Sequence, residues 1–163
     1  MTALQHQQDQ PGYGVVEPVG SALTSAVMPS LAALPGQALR AGIDVVRVSE
    51  IAASLAQFGA AFAKRLFTDA EIAYAQTGGD ATIVAARFAV RFAAREAAIK
   101  AFGLTEAGVN WCELEVVRNP DGRCELVPHG RARDAIGPLL QCVLSMSHEG
   151  DYATAIVLAM VAV

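Results

Sequence analysis

The stretch Ile83–Gly103, IVAARFAVRFAAREAAIKAFG, decides how this chain is read. On a wheel of 3.6 residues per turn, Phe88, Phe92 and Ile99 share one face. Ala89, Ala93, Ala94, Ala97, Ala98 and Ala101 cover much of the rest. A helix that is apolar or small nearly all round tolerates burial on every side. Glu96 follows Phe92 by one turn and Lys100 follows Glu96 by one turn, while Arg91 and Arg95 fall on the opposite flank. Asp80 stands where it can cap the start, and Gly103 is a natural left-handed cap at the end. The spacing predicts a helix from about Ile83 to Phe102, the longest in the chain.

Working outward, Thr68-Asp69-Ala70-Glu71 reads as a capping box that opens a helix through about Gln76, and Gly78-Gly79 breaks it. Val48, Ile51, Leu55 and Phe58 have helical spacing and stop at Gly59. Gly42-Ile43-Asp44-Val45-Val46 reads as a short buried strand interrupted by one carboxylate. Asn119-Pro120-Asp121-Gly122, between Cys112–Arg118 and Arg123–Val127, is a hairpin signal. A short helix over Gly130–Ile136 precedes two strands, Gln141–Met146 and Tyr152–Val163, joined by a tight turn at Gly150. The fold class is α+β, with helices packed on a largely antiparallel sheet and one long buried helix.

The 163 residues suit one ordered domain, which the pattern starts near Ala41. Residues 1–40 read as a leader. Met1–Gly20 is rich in Gln, Gly and Pro and is expected to be disordered, and Ser21–Leu39 is Ala/Leu-rich with room for a short helix. The apolar fraction is 53% and the charged fraction 17%, a soluble and well-packed composition rather than a disordered one. Tyr152–Val163 is too short to span a bilayer, and no Lys or Arg precedes Arg40 to make a signal-peptide n-region. A cytoplasmic protein without a membrane partner is expected. The net charge of −4 argues against nucleic acid as the main partner. Cys112, Cys124 and Cys142 lack metal-ligand spacing and are expected to be buried or half-buried thiols.

Three places carry candidate chemistry. Glu96 and Lys100 form either an ordinary i,i+4 surface pair or part of a functional cluster, and Arg87, Arg91 and Arg95 either a solvated stripe or ligand contacts. The alanine-rich surroundings weigh against exposure, because charges beside a buried stripe tend to be paired or functional. Asp44, within an apolar strand, is satisfied either by a backbone cap or arginine, or by a divalent cation. Mg²⁺ characteristically takes one or two protein carboxylates plus phosphate oxygens and water, a number that Asp44 and Glu96 supply. Lys100 then meets phosphate charge near the metal. In Leu144-Ser145-Met146-Ser147-His148, alternation suggests a strand that ends in a polar turn with His148 at its tip, where ligand-binding groups collect. No Ser-His-Asp triad can be argued, and no G-x-S-x-G elbow, Walker A loop or Rossmann glycine pattern is present.

Three segments together resemble a known family. Gly42-Ile43-Asp44 is similar to its N-terminal G-I-D motif, and Arg91-Phe92-Ala93-Ala94-Arg95-Glu96-Ala97-Ala98-Ile99-Lys100-Ala101-Phe102-Gly103 to its central R-F-A-x-K-E-A-x-x-K-A-x-G motif. Ser145-Met146-Ser147-His148 with Tyr152-Ala153 resembles its C-terminal S-x-S-H…Y-A motif. Phe67-Thr68 with Glu71-Ile72, and Asn110-Trp111 with Glu113 and Glu115, agree. The family is the holo-acyl-carrier-protein synthases, the short 4′-phosphopantetheinyl transferases, and the resemblance spans about Ala41 to Val157. It implies the 4′-phosphopantetheinyl transferase fold for residues 41–163. It also implies an enzyme that takes coenzyme A and an apo acyl carrier protein, with the carrier's serine hydroxyl attacking the β-phosphate and adenosine 3′,5′-bisphosphate leaving. By motif match, Asp44 and Glu96 hold Mg²⁺, Lys100 contacts the phosphate near the attacked phosphorus, Arg91 contacts a coenzyme A phosphate, and His148 borders the nucleotide site. A metal-bound water or Glu96 takes the serine proton. The resemblance further implies a homotrimer with active sites between protomers. Two departures stand out: Arg95 replaces the usual Lys, and Glu50 falls where an Arg often meets the acidic carrier, leaving Arg47, Lys64 and Arg65 as nearby bases.

Overall fold

The computed structural model describes residues 34–163. The disordered leader expected over Met1–Gly20, and the short helix expected within Ser21–Leu39 up to residue 33, lie outside the described residues. In chain order the elements are β1 (Gln37–Arg47), α1 (Val48–Leu66), α2 (Asp69–Ala75) and α3 (Ala81–Phe102), followed by a 3-10 turn (Trp111–Glu113). Then come β2 (Leu114–Arg118), β3 (Cys124–Pro128), α4 (Gly130–Ile136), β4 (Leu139–Glu149) and β5 (Tyr152–Ala162). β1, β5 and β4 form an antiparallel sheet in that order, and β2 and β3 form a separate hairpin. The α+β class holds.

Local chemistry explains the helix ends. Asp80 accepts hydrogen bonds from the Thr82 and Ile83 amides, and Gly103 closes α3 with φ 66° and ψ 39°. The Thr68 hydroxyl accepts from the Glu71 amide while Glu71 Oε2 accepts from the Thr68 amide at 2.9 Å, so the capping box forms. Four details differ from the sequence pattern. α1 does not stop at Gly59: it kinks there (φ 53°, ψ −133°) and resumes to Leu66. β1 begins at Gln37, ahead of Ala41, because its register with β5 continues to Gln37↔Ala162. Cys112 and Glu113 lie in the 3-10 turn, not in a strand. His148 lies within β4, paired with Ala153, and the turn follows it at Gly150.

The core forms where α3 crosses the sheet. Ala89, Ala93, Ala94, Ala97 and Ala98 are fully buried, as are Ala153 and Val157 of β5. Small side chains let the backbones approach closely, and Gly42 sets the limit. A Cβ at Gly42 would lie 2.0 Å from the Ala97 carbonyl oxygen and 2.8 Å from the Ala101 amide nitrogen. Asp44, two residues on, points to the same side as Gly42. The other face of β1 is uncovered, contrary to the buried strand expected over Gly42–Val46: Ile43 is 60% and Val45 57% exposed. Alternation is the cause, since only every second side chain meets α3.

A buried ion pair joins the remaining pieces. The Arg95 guanidinium, fully buried, pairs with the Glu71 carboxylate and donates to the carbonyls of Trp111 (3.0 Å) and Arg91 (3.2 Å). Glu71 Oε1 accepts from the Val116 amide at 3.0 Å. One carboxylate thus ties the cap of α2 and strand β2 to α3. Arginine's fork supplies the three divergent donors, which a lysine's single nitrogen serves less well.

Gly42→Ala is predicted to lower stability by more than about 2 kcal/mol in denaturant unfolding, since backbone, not a flexible side chain, blocks the added methyl.

Candidate active site

On one side of α3 the register between helix and sheet brings Asp44, Glu96 and Lys100 together. Lys100 does not pair with Glu96 as a simple i,i+4 partner: its ammonium donates to Asp44 Oδ1 at 2.7 Å and to the Ile43 carbonyl at 3.3 Å. The hydrogen bond to Asp44 is the main cause holding the Lys100 pKa above its usual value. Glu96 is pushed up, chiefly by burial and next by repulsion from Asp44, with Lys100 opposing. The Thr154 hydroxyl donates to the Asp44 carbonyl at 2.9 Å and fixes the backbone beneath the carboxylate.

Two carboxylates that repel each other, one of them paired with an ammonium, form a site suited to cations. Among the described residues no group of three or more His, Cys, Asp or Glu could hold a metal. A divalent ion here would therefore have two protein ligands and leave its remaining positions to water and phosphate, the habit of Mg²⁺. The donor set fits that ion. The Lys100 ammonium stands in for part of its charge, and with its side chain 52% exposed it is free to turn outward.

On the opposite side of the same helix lies a second group. Arg91 and Lys100 are nine residues apart, about 180° around the axis. Arg91 is 3% exposed, and its guanidinium carbon sits 4.3 Å from the Tyr74 ring centroid. Its Nη1 donates to the Arg87 carbonyl at 3.0 Å, and its Nε is buried without a hydrogen bond among the described residues. Burial lowers its pKa, and the Glu71 carboxylate is the strongest influence in the other direction. Tyr74, Arg87, Arg91, Arg118, Ser147 and His148 line a cavity of about 500 Å³. Three guanidinium groups and an imidazole around one cavity suit a phosphorylated ligand.

The five residues singled out in the sequence therefore fall into two groups within the chain. Asp44, Glu96 and Lys100 meet on the β1 side; Arg91 and His148 meet on the β4 side, and β5 separates those two strands. The sequence reading missed Tyr74 and Arg118 altogether and left Arg87 as one member of a stripe. Tyr74 is one turn past the capping-box Glu71, and Arg118 ends the strand before the hairpin turn. Only their convergence in space makes them a site, and no local pattern signals it.

The family model of the 4′-phosphopantetheinyl transferase superfamily matches residues 40–157. A holo-[acyl-carrier-protein] synthase of Koribacter versatilis is 45% identical over 123 residues, covering 74% of this chain and 96% of the relative. One from Syntrophotalea carbinolica is 40% identical over 119 residues, covering 71% of this chain and 91% of the relative. Among solved structures, an ACPS–CoA complex from Chronobacterium ammoniagenes is 32% identical with a TM-score of 0.65, covering 76% of this chain and 98% of that one. With the fold, the Arg91–Gly103 helix and the matched length in agreement, the chain belongs to the 4′-phosphopantetheinyl transferase superfamily.

Proposed function

We propose that this chain transfers 4′-phosphopantetheine from coenzyme A to a serine of an apo acyl carrier protein, releasing adenosine 3′,5′-bisphosphate, in a Mg²⁺-dependent reaction. The observation that carries this reading is the Asp44–Glu96–Lys100 cluster, in a chain of this family. Asp44 and Glu96 would hold Mg²⁺, which when bound neutralises charge on the pyrophosphate. Lys100, already charged and half-exposed beside Asp44, turns to the phosphate as it arrives and stabilises the charge that builds up there. Arg91 and His148 take the nucleotide end. Glu96 is the protein's candidate to take the serine proton. Coenzyme A and a carrier protein are the partners, which fits a cytoplasmic enzyme. The exposed bases Arg47, Lys64 and Arg65 at the two ends of α1 offer an acidic carrier its counter-charge.

Placement of the two groups argues for a composite site. One coenzyme A molecule must reach Lys100 and Arg91, yet α3 stands between them. A second protomer removes the obstacle if its β4 side faces the first protomer's β1 side. The uncovered face of the sheet supplies an interface: Leu39 (41% exposed), Ile43, Val45, Val143 (52%) and Ile156 (37%) share it, with Ile43 directly opposite Ile156. An apolar face of this extent marks a protein contact. Contacts between unlike edges form a ring where the rotation closes, and three is the number that the family resemblance implies. The active unit in this reading is a homotrimer with sites between protomers.

Incubation with coenzyme A, Mg²⁺ and an apo carrier is expected to add one phosphopantetheine to the carrier's mass; no adduct on any of several fatty-acid, polyketide and peptide carriers would overturn the assignment. Glu96→Gln is expected to reduce turnover by about 100-fold or more. Its thermal midpoint in EDTA should equal or exceed the parent's. The folded-state pKa of Glu96 is raised, so the folded state binds this proton more tightly than the unfolded chain and loses stability as pH rises through the two pKa values. Glutamine removes that loss, and it should also abolish stabilisation by added Mg²⁺ in the same melt.

A further inference from the structure

We propose that Tyr74 is a positioning residue that gathers Arg87, Arg91 and Arg118 into one receptor for a phosphomonoester, and so sets the preference for a 3′-phosphorylated nucleotide. The inference rests on the coenzyme A reading and deepens it, because coenzyme A carries one phosphomonoester, on the ribose.

The geometry centres on a single ring. The guanidinium carbons of Arg91, Arg87 and Arg118 lie 4.3, 5.6 and 5.6 Å from the Tyr74 centroid. All three fall within the range in which a cation is attracted to an aromatic quadrupole. The Tyr74 hydroxyl oxygen also accepts from Arg118 Nη1 at 2.8 Å. Three like charges around one small cavity repel each other, and the ring is the group that meets all three. Arg87 is held further by donating to the carbonyls of Ala75 (3.3 Å), Gly78 (2.9 Å) and Thr77, which close the end of α2.

Tyr74 is itself fixed from below. It lies one turn past Glu71, whose buried carboxylate is bound to Arg95 and to the Val116 and Thr68 amides. The short helix α2 therefore cannot swing, and the ring stays under the arginines. The orphaned, buried Nε of Arg91 at the same cavity is a donor still lacking an acceptor among the described residues. A phosphomonoester carries close to two negative charges and three terminal oxygens, and it matches several guanidinium groups at once. In coenzyme A each phosphorus of the 5′-pyrophosphate is linked on two sides and keeps only two free oxygens and one charge, so among its phosphates the 3′ one makes that match.

The test compares adenosine 3′,5′-bisphosphate, adenosine 5′-monophosphate and inorganic phosphate by calorimetry on the full-length chain and on Tyr74→Leu and Tyr74→Phe. The parent should prefer the bisphosphate to the monophosphate. Tyr74→Leu should lose about tenfold of that preference, the scale of one or two cation–π contacts. Tyr74→Phe keeps the ring and should retain most of it. In turnover, Tyr74→Leu should raise KM for coenzyme A more than it lowers kcat, and should narrow the kcat/KM ratio between coenzyme A and its 3′-dephospho form. A parental preference in Tyr74→Leu, or an equal loss for both nucleotides, overturns the role. Inorganic phosphate binding as tightly as the bisphosphate overturns the nucleotide assignment in favour of a free-phosphate site. Should Tyr74→Leu fail to fold, Tyr74→Met, which also lacks the ring, carries the same comparison. A parent that transfers nothing from coenzyme A would defeat the proposed function, while the calorimetry would still decide the role of Tyr74.

Discussion

Helix α3 lies against β1 at a separation that only glycine permits. Any side chain at Gly42 would meet the backbone of Ala97 and Ala101. That contact fixes more than a core. Because side chains alternate along a strand, Asp44 shares the inner side with Gly42, and the same approach that buries the alanines of α3 brings Lys100 to 2.7 Å from Asp44. Glu96, one turn back along the helix, then stands close enough to Asp44 to feel its charge. The Asp44–Glu96–Lys100 cluster is thus a consequence of backbone proximity.

The same helix is charged on both sides while buried on most of its surface. Such charges are costly unless each has a partner, and here the partners come from β1 and α2 rather than from α3 itself. Lys100 answers Asp44 of β1, Arg95 answers Glu71 of α2, and Arg91 rests on the Tyr74 ring. The Glu71–Arg95 pair is structural, with each nitrogen of the Arg95 guanidinium donating to a protein acceptor. Arg91 differs in that one buried donor has no protein acceptor among the described residues. Within a single α3, therefore, Arg95 has an acceptor for each of its nitrogens while Arg91 does not.

Much of this was legible in the sequence, where the determinants are local. Asp80, Gly103, the Thr68–Glu71 box and the Asn119–Gly122 turn each act within a few residues, and each element they bound was read correctly in kind. The long buried helix was legible from its alanines. What stayed hidden depends on tertiary partners. Glu96 and Lys100 have the spacing of a routine helix pair, and nothing local says that Lys100 turns to β1 instead. α1 reads as stopping at Gly59, because a glycine just past a periodic run is a common helix end, but here the chain resumes helix after a single kinked residue. Tyr74 and Arg118 lie 44 positions apart, so their meeting is invisible before folding. The helical wheel already put Arg91 opposite Lys100; that the sheet order also separates β1 from β4, on which the proposed division of the site rests, emerges only after folding.

The divided site is the central claim, and mixing two damaged chains tests it most directly. Lys100→Ala and Arg91→Ala should each be nearly inactive alone. Mixed in equal amounts and allowed to reassemble, about one quarter of sites should pair an intact Lys100 from one protomer with an intact Arg91 from its neighbour, if random assembly into a cyclic oligomer holds. Turnover well above the sum of the two separate variants is the predicted result. Turnover no greater than that sum, in oligomers shown to contain both chains, would contradict a site shared between protomers.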